Sequence, residues 1–131
     1  MITALLLHHL MVSICFVESN NDPLAYSNKK AIGYCQVEYD TAVWVGMPQN
    51  KNCMLDFKLT VVQKTKCPLF NKDINIKYAT KYVQYLLKRY KNDLVKTVSA
   101  YNAGHYLPRN KENMKYVRKV LERLEYEKSQ H

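Results

Sequence analysis

The chain has 131 residues, of which 47% are hydrophobic and 24% are charged, and this composition excludes intrinsic disorder. The length suits one domain, or one domain with short tails, and is enough to bury a core of its own. Lysine and arginine outnumber aspartate and glutamate by 20 to 11, and the resulting net charge of +9 suits an acidic partner or simple solubility. Nucleic acid, anionic lipid and an anionic bacterial wall all qualify as partners, so charge alone assigns no function.

The N-terminal segment, residues 2–18, is almost wholly apolar and is predicted to form a first helix. It lacks the basic residues that open a secretory signal, because the first lysine is Lys29, and it has no small-x-small cleavage site. About seventeen apolar residues are marginal for a membrane span. We therefore expect a buried core helix, with a signal peptide or a membrane anchor as the alternatives.

The middle of the chain alternates turns with short elements. Residues 20–28 are predicted to be a loop, and residues 31–36 a short apolar stretch containing Gly33. A short helix is predicted at 41–47, followed by a loop at 48–52. The segment 54–70 is ambiguous, and Leu59, Val61 and Val62 could form a strand.

The C-terminal half carries the strongest helical patterns. Asp73 is predicted to be the N-cap of a long helix that ends near Lys91, and Asp93 the N-cap of the next helix. A loop at 103–110 contains Gly104, and the last helix is predicted at about 111–127. Each of these segments places apolar residues at helical spacing, so the chain is predicted to be mainly helical.

The cysteines and histidines predict neither a metal site nor a cofactor. Cys15, Cys35, Cys53 and Cys67 have no CxxC spacing, and the four histidines complete no zinc pattern. We favour the interpretation that the cysteines are small buried hydrophobic residues. A bridge between Cys53 and Cys67 is the alternative, and the cellular compartment is left open.

Glu18 is the candidate catalytic residue. It ends an apolar helix, so its carboxyl group would be desolvated on one side and would lie beside the negative end of the helix dipole. Both effects disfavour the anion and raise the pKa of the carboxyl group. A carboxylic acid with a raised pKa is what a glycosidase needs to protonate a leaving oxygen near neutral pH. Taken alone, however, a glutamate at a helix end is usually solvated.

Three ordered motifs give this glutamate a context. The first contains Glu18, Ser19, Pro23, Ala25, Ser27, Ala31, Gly33 and Gln36, followed by Thr41-Ala42. The second is Asn75-Ile76, and the last comprises Ser99-Ala100-Tyr101-Asn102-Ala103-Gly104 and the helix with Tyr116-Val117, Lys119-Val120-Leu121. In this order and spacing the motifs resemble the soluble lytic transglycosylase family, over about residues 12–124. The cysteine before Gln36 and the short chain resemble members borne by bacteriophages.

The resemblance implies a mainly α, lysozyme-like single domain over 1–131, with an active-site cleft and no cofactor. It implies cleavage of peptidoglycan glycan strands with Glu18 as the single acid/base, and closure of a 1,6-anhydro ring in place of hydrolysis. By the same resemblance Ser27 and Gln36 hydrogen-bond the sugars, Tyr101 orients Glu18 or the substrate, and Asn102 holds a loop. Action at the bacterial wall, without nucleic acid or stable membrane insertion, is expected. The family pattern also implies that the ambiguous segment 54–70 is a connecting helix and loop.

The resemblance also bears on the N-terminal segment, because the family's domain includes the helix before the Glu-Ser pair. We therefore expect residues 1–17 to be structural and the chain to carry no clear signal peptide. Such a chain suits a virion-associated or lysis protein of a phage, or one docked in a larger phage or secretion assembly.

Two departures from the family pattern matter. Lys30 stands where glycine is usual, which makes the loop less permissive. Glu38 stands where methionine is usual beside the cleft, so it is a candidate substrate-binding residue and a second carboxylate near Glu18. One rival function is therefore a muramidase of the same fold, with Glu38 or Asp40 holding a water molecule. The other rival is a basic, non-catalytic module that binds wall polymer or nucleic acid.

Overall fold

The structure, a computed structural model, describes residues 2–54 and 60–130. The helices are α1 (Ala4–Ser19), α2 (Tyr39–Trp44), α3 (Val61–Lys64), α4 (Lys72–Arg89), α5 (Leu94–Ala103) and α6 (Lys111–Ser129). Two strands, β1 (Ala31–Ile32) and β2 (Val37–Glu38), form a small sheet, and single 3₁₀ turns occur at Lys51–Cys53 and Pro68–Phe70. The predicted mainly helical architecture is confirmed.

The chain divides into two compact units. The first contains Met1–Val17 and Val83–His131, and the second contains Glu18–Tyr82. The expectation of a single catalytic domain over 1–131 stays a prediction.

The first unit is built from helices whose apolar faces are buried. In α1, Leu10 and Ile14 are fully buried, as are Val98 of α5 and Val120 of α6. Burying an aliphatic side chain of this size contributes about 1.5–3 kcal/mol, so α1 is part of the core as predicted. Within the described ranges, no helix is both long and apolar enough to cross a bilayer.

Local capping fixes the ends of α5 and α6. Asp93 accepts a hydrogen bond from the backbone N–H of Lys96 at 3.0 Å, which confirms the predicted N-cap. Gly104 adopts φ +88° and its N–H donates to the Ala100 carbonyl at 2.7 Å, the left-handed end that favours glycine. Asn110 caps α6 by accepting from the N–H of Asn113.

The second unit is organised around an antiparallel hairpin. Ala31 pairs with Glu38 and Ile32 with Val37, and the four residues 33–36 form the turn. Gly33 has φ +76°, and a Cβ atom there would lie 2.4 Å from the Leu69 carbonyl oxygen. Only glycine fits this position, because both the backbone conformation and the close approach exclude a side chain.

The boundaries of α2 differ from the prediction. The helix covers Tyr39–Trp44 rather than 41–47, because β2 passes directly into it. Its end is set by Gly46, which has φ +118°. The predicted loop at 48–52 contains a 3₁₀ turn, which Asn50 caps by accepting from the N–H of Asn52.

The ambiguous segment is helical where it is described. Thr60 and Gln63 form a capping box that starts α3, so Val61 and Val62 are helical and not strand; Leu59 lies outside the described residues. The prediction that Asp73 is the N-cap of α4 is wrong. Asn71 accepts from the N–H of Ile74 at 3.0 Å and performs that role, whereas Asp73 lies inside the first turn.

The bonding of the cysteines corrects the favoured interpretation that they serve as small buried hydrophobic residues. None of the four is free, and Cys53 pairs with Cys67 across a separation of 14 residues. Cys15 and Cys35 are also disulfide-bonded. All four are buried, as expected of small hydrophobic residues, but their thiols are oxidised. The absence of CxxC spacing says nothing about pairing between residues that are distant in sequence.

Candidate active site

Glu18 lies in the last turn of α1 and is half-buried. The helix ends one residue later, and Asn20 and Asn21 follow with φ of +55° and +62°. Asparagine tolerates this left-handed conformation better than most residues, so the end of the helix is specified locally. Glu18 therefore occupies a position that the backbone defines closely.

Ser19 ties this helix end to the hairpin. Its hydroxyl donates to the Tyr34 carbonyl at 2.6 Å and accepts from the N–H of Asp22 at 3.1 Å. Tyr34 lies in the turn between β1 and β2, and the Lys72 ammonium lies 5.0 Å above its ring. The residue adjacent to Glu18 is thus held by a side chain–backbone bond that spans 15 residues of sequence.

Ser27 closes the loop that precedes β1. Its hydroxyl oxygen accepts from the N–H of Lys29 at 3.2 Å and from the N–H of Ala31 at 3.1 Å. Its own N–H donates to the Ala31 carbonyl at 3.0 Å. Both hydroxyl bonds use the oxygen as acceptor, so the hydroxyl proton is left for another partner.

Gln36 closes the hairpin turn. Its φ is +54°, and both its N–H and its side-chain amide donate to the Gly33 carbonyl, at 3.1 and 3.0 Å. The side chain is half-buried, and the bond to Gly33 uses only the amide nitrogen. The amide oxygen can still accept a hydrogen bond.

Asn75 is the residue whose structural importance the sequence analysis missed. Its side chain is fully buried and donates to the carbonyls of Ile32 and Leu69, both at 2.8 Å, and accepts from the N–H of Cys35 at 2.8 Å. It therefore joins β1, the hairpin turn and the 3₁₀ turn at 68–70. The sequence does carry a signal for the burial of Asn75, because it lies four residues before the buried Ala79 and therefore on the same face of α4.

Glu38 is exposed and ends β2, where its backbone pairs with Ala31. Among the described residues, its carboxylate has no hydrogen-bonding or ion-pair partner. It lines an open pocket of about 430 Å³ with seven other residues: Tyr26, Lys29, Lys30, Tyr39, Asp40, Cys53 and Met54. The structure thus brings Glu38 together with Asp40 and two lysines. Its predicted place beside Glu18 stays a prediction.

Tyr101 and Asn102 lie near the end of α5 in the first unit, whereas the other candidate residues belong to the second unit. Tyr101 is half-buried. The Asn102 side-chain oxygen accepts from the Asn113 amide at 3.1 Å, and that amide also donates to the Ser99 carbonyl at 3.1 Å. The Ser99 hydroxyl in turn accepts from the N–H of Leu107. This network joins α5, the loop after it and α6.

The arrangement offers one half-buried acid at a fixed helix end, with hydroxyl and amide groups in the loop and hairpin that follow it. In the part of the chain that the structure describes, no three histidine, cysteine, aspartate or glutamate side chains are placed to hold a metal ion. The carboxyl, hydroxyl and amide groups that the site does present can transfer a proton and form hydrogen bonds.

Comparisons with known proteins identify the architecture. The structure is similar to the 70 kDa soluble lytic transglycosylase Slt70 from Escherichia coli, with a TM-score of 0.74 and 21% sequence identity over 92% of this chain. The chain spans about one fifth of that protein, since the match covers 21% of it. This likeness confirms the predicted lysozyme-like fold class. No curated protein sequence matches the chain.

The comparison with protein families is more direct. The model of the transglycosylase SLT domain matches residues 5–123, nearly the whole chain, and this range contains every motif on which the predicted resemblance depends. The chain therefore belongs to the transglycosylase SLT domain family.

Proposed function

We propose that the protein is a peptidoglycan lytic transglycosylase that cleaves the β-1,4 bond between N-acetylmuramic acid and N-acetylglucosamine. The observation that carries the proposal is the position of Glu18, at a helix end fixed by two left-handed asparagines and by the Ser19–Tyr34 hydrogen bond. A general acid needs this positional definition, because proton transfer requires the donor within hydrogen-bonding reach of the leaving oxygen.

In the proposed reaction, the Glu18 carboxylic acid protonates the glycosidic oxygen as the bond from that oxygen to muramyl C1 breaks. The substrate's acetamido group stabilises the positive charge that develops at C1. The Glu18 carboxylate then takes the proton of the muramyl C6 hydroxyl, whose oxygen attacks C1 and closes the 1,6-anhydro ring. The acid is regenerated and no water is consumed, so the reaction needs no second carboxylate, unlike the two-carboxylate mechanism of most glycosidases.

The other candidate residues are proposed to position the strand. Ser27 can donate its hydroxyl proton and Gln36 can accept through its amide oxygen, because their contacts within the protein leave these functions available. Tyr101 is proposed to orient Glu18 or the substrate. Asn102 is proposed to hold the loop after α5, a role that its hydrogen bond with Asn113 supports.

A muramidase is the second candidate function, because Glu38 and Asp40 line one open pocket and either could orient a water molecule. The substitution Glu38→Met separates the two functions. A transglycosylase should keep its anhydro product in this variant, whereas a hydrolase that uses Glu38 to hold water should lose its activity.

We also propose that the domain works at the bacterial wall as part of a phage particle, a phage lysis system or a larger secretion assembly. The cysteine that precedes Gln36 supports this placement, since it resembles phage-borne members of the family.

The test is digestion of purified peptidoglycan with mass spectrometry of the products. Anhydro products, one water lighter than hydrolysed ones, are expected from the wild type. Glu18→Gln should lower the rate by about 10²–10⁴-fold while the circular dichroism spectrum stays unchanged, because glutamine keeps the shape and cannot donate the proton. Glu122→Gln makes the same change at an exposed residue of α6 and is the control. Wild-type rates in Glu18→Gln would refute the assignment, and reducing-end products would establish the muramidase.

A further inference from the structure

Helix α3 is held on the protein without a core of its own. It has only four residues, none of them buried. Isolated helices shorter than about 12 residues are at best marginally stable in water. The capping box between Thr60 and Gln63 fixes the first turn of α3 but attaches it to no other element. The helix therefore owes its place to other contacts of the segment 60–67, which we call the strap.

A covalent bond and a charged hydrogen bond attach the strap to the rest of its unit. Cys67 is disulfide-bonded to Cys53, and both residues are buried. The Lys64 ammonium donates to the Leu24 carbonyl at 2.8 Å and lies 5.8 Å from the centre of the Phe70 ring. Hydrogen bonds from a charged donor are stronger than those between neutral groups. The strap therefore reaches, through Lys64, a residue 40 positions earlier in the sequence.

Leu24 lies in the loop that joins Glu18 to Ser27, so the strap acts on a part of the candidate site. Inside the loop, the Asp22 carboxylate accepts from the N–H of Leu24 at 2.9 Å. The backbone bonds donated by the N–H groups of Asp22 and Ala25 are longer, at 3.3 Å each. These bonds join loop residues to their own neighbours in sequence, whereas the strap holds the Leu24 carbonyl from outside the loop. It therefore restrains the loop relative to the rest of the unit.

We propose that Lys64 is a positioning residue for the loop before Ser27, and that the Cys53–Cys67 bridge controls whether Lys64 is in place. With the bridge formed, the strap holds the Leu24 carbonyl, and the loop presents the Ser27 hydroxyl to the glycan strand. With the bridge reduced, a four-residue helix without buried residues has lost its covalent attachment, so the Lys64 bond is made only part of the time.

The chemical step is a thiol–disulfide exchange. Reduction by a dithiol breaks the S–S bond and leaves one proton on each cysteine sulfur, while the dithiol is oxidised to a disulfide, so two electrons and two protons are transferred. Disulfides persist in oxidising compartments and are reduced in the cytosol. The protein would thus bind its substrate tightly only in an oxidising compartment. This inference rests on the proposed function and adds a regulation to it.

The first test measures KM and kcat on peptidoglycan strands. Lys64→Met keeps the aliphatic stem beside Phe70 and removes the donor. Its KM should rise about three- to tenfold, the effect of weakening one hydrogen bond to the sugar. Its kcat should stay close to the wild-type value, because the bond that fixes the helix end at Glu18 does not involve the strap. A variant that is partly unfolded would instead lower kcat at an unchanged KM.

Two variants control this measurement. Lys64→Arg keeps a charged donor and should retain the wild-type KM. Lys66→Met makes the same change at an exposed lysine two residues later and should also leave KM unchanged. An unchanged KM in Lys64→Met, or an equal rise in Lys66→Met, would overturn the inference.

Reduction provides the second test. Dithiothreitol should raise the KM of the wild type by the same factor, and glutathione disulfide should restore it. Reduction should add little in Lys64→Met and nothing in Cys53→Ser/Cys67→Ser, whose KM should equal that of the reduced wild type. A response of wild-type size in the cysteine variant would place the sensor at Cys15 and Cys35 and would overturn the inference.

Hydrogen exchange separates this inference from the proposed function, because it needs no substrate. The backbone N–H groups of Leu24 and Ala25 should exchange faster in the reduced protein and in Lys64→Met, whereas those of the buried residues of α5 should not change. Unchanged exchange at Leu24 and Ala25 would overturn the inference whether or not strands are cleaved. The expected exchange in a protein that cleaves no strand would support the strap and contradict the proposed function alone.

Discussion

Replacing Asn75 by leucine tests whether one buried amide holds the hairpin that follows Glu18. The substitution keeps a similar side-chain volume and removes all three hydrogen bonds of the amide. The carbonyls of Ile32 and Leu69 and the N–H of Cys35 then lose their partner in a fully buried site. Each unsatisfied buried group costs about 1–3 kcal/mol. Because the three share one site and their costs are not additive, we expect a total loss of about 3–6 kcal/mol.

A loss of that size is a large share of the roughly 5–15 kcal/mol that stabilises an ordinary domain. Urea denaturation followed by far-ultraviolet circular dichroism measures it, and Asn28→Leu is the matched control because Asn28 is exposed. The control should change the free energy of unfolding by no more than about 0.5 kcal/mol. A loss below about 1 kcal/mol in Asn75→Leu, with an unchanged denaturant slope, would refute the reasoning.

Asn75→Asp refines the same prediction through pH. The new carboxyl group keeps an acceptor for the Cys35 N–H but places an oxygen against two carbonyls, so only its protonated form can donate to either of them. Burial and these carbonyls would raise the pKa of the aspartic acid in the folded state. Stability should be greatest below the unfolded pKa of about 4 and should fall as pH rises from there toward the folded pKa. A wild-type pH dependence in this variant would contradict the proposed orientation of the amide.

Three further substitutions probe the same unit. Gly33→Ala should destabilise by roughly 3–5 kcal/mol in thermal or urea unfolding, because a Cβ would meet the Leu69 carbonyl oxygen at 2.4 Å with φ at +76°; an unchanged stability would show that the turn can shift. Lys30→Gly should raise the free energy of unfolding by about 0.5–1 kcal/mol by relieving the left-handed strain, and an unchanged or lower value in urea unfolding would contradict this. The double variant Cys53→Ser/Cys67→Ser should lose about 3 kcal/mol, the entropy of closing a loop of this length, and equal unfolding midpoints before and after the change would argue against the bridge.

The helices and the position of Glu18 were predictable because their signals are local. Apolar spacing marks the long helices, and the cap at Asp93 needs only its own side chain and an N–H three residues later. Asn71 and Asp73 are equally good capping residues two positions apart, and only the structure shows that Asn71 caps α4. Propensity ranks residue types and does not choose between neighbouring candidates.

The parts that could not be predicted depend on pairings between distant residues. The open pocket of about 430 Å³ combines Lys29 and Lys30 with the end of β2, and nothing in the spacing of Lys29 and Asp40 shows that they line one pocket. The three bonds of Asn75 reach residues up to 43 positions away. The pairing of Cys53 with Cys67 is of the same kind, since cysteine spacing leaves several connectivities open.

The loop held by Ser27 has a consequence for protein engineering. Because the Ser27 hydroxyl bonds only to backbone N–H groups there, the fold specifies the path of residues 28–30 without their side chains. Libraries that randomise residues 28 and 29, with residue 30 limited to types that tolerate its positive φ, should therefore retain folded proteins at a high rate, whereas libraries at Gly33 or Asn75 should yield few. A short stretch of sequence is thus open to variation beside two positions that tolerate little change, and new binding properties can be screened there without redesigning the rest of the protein.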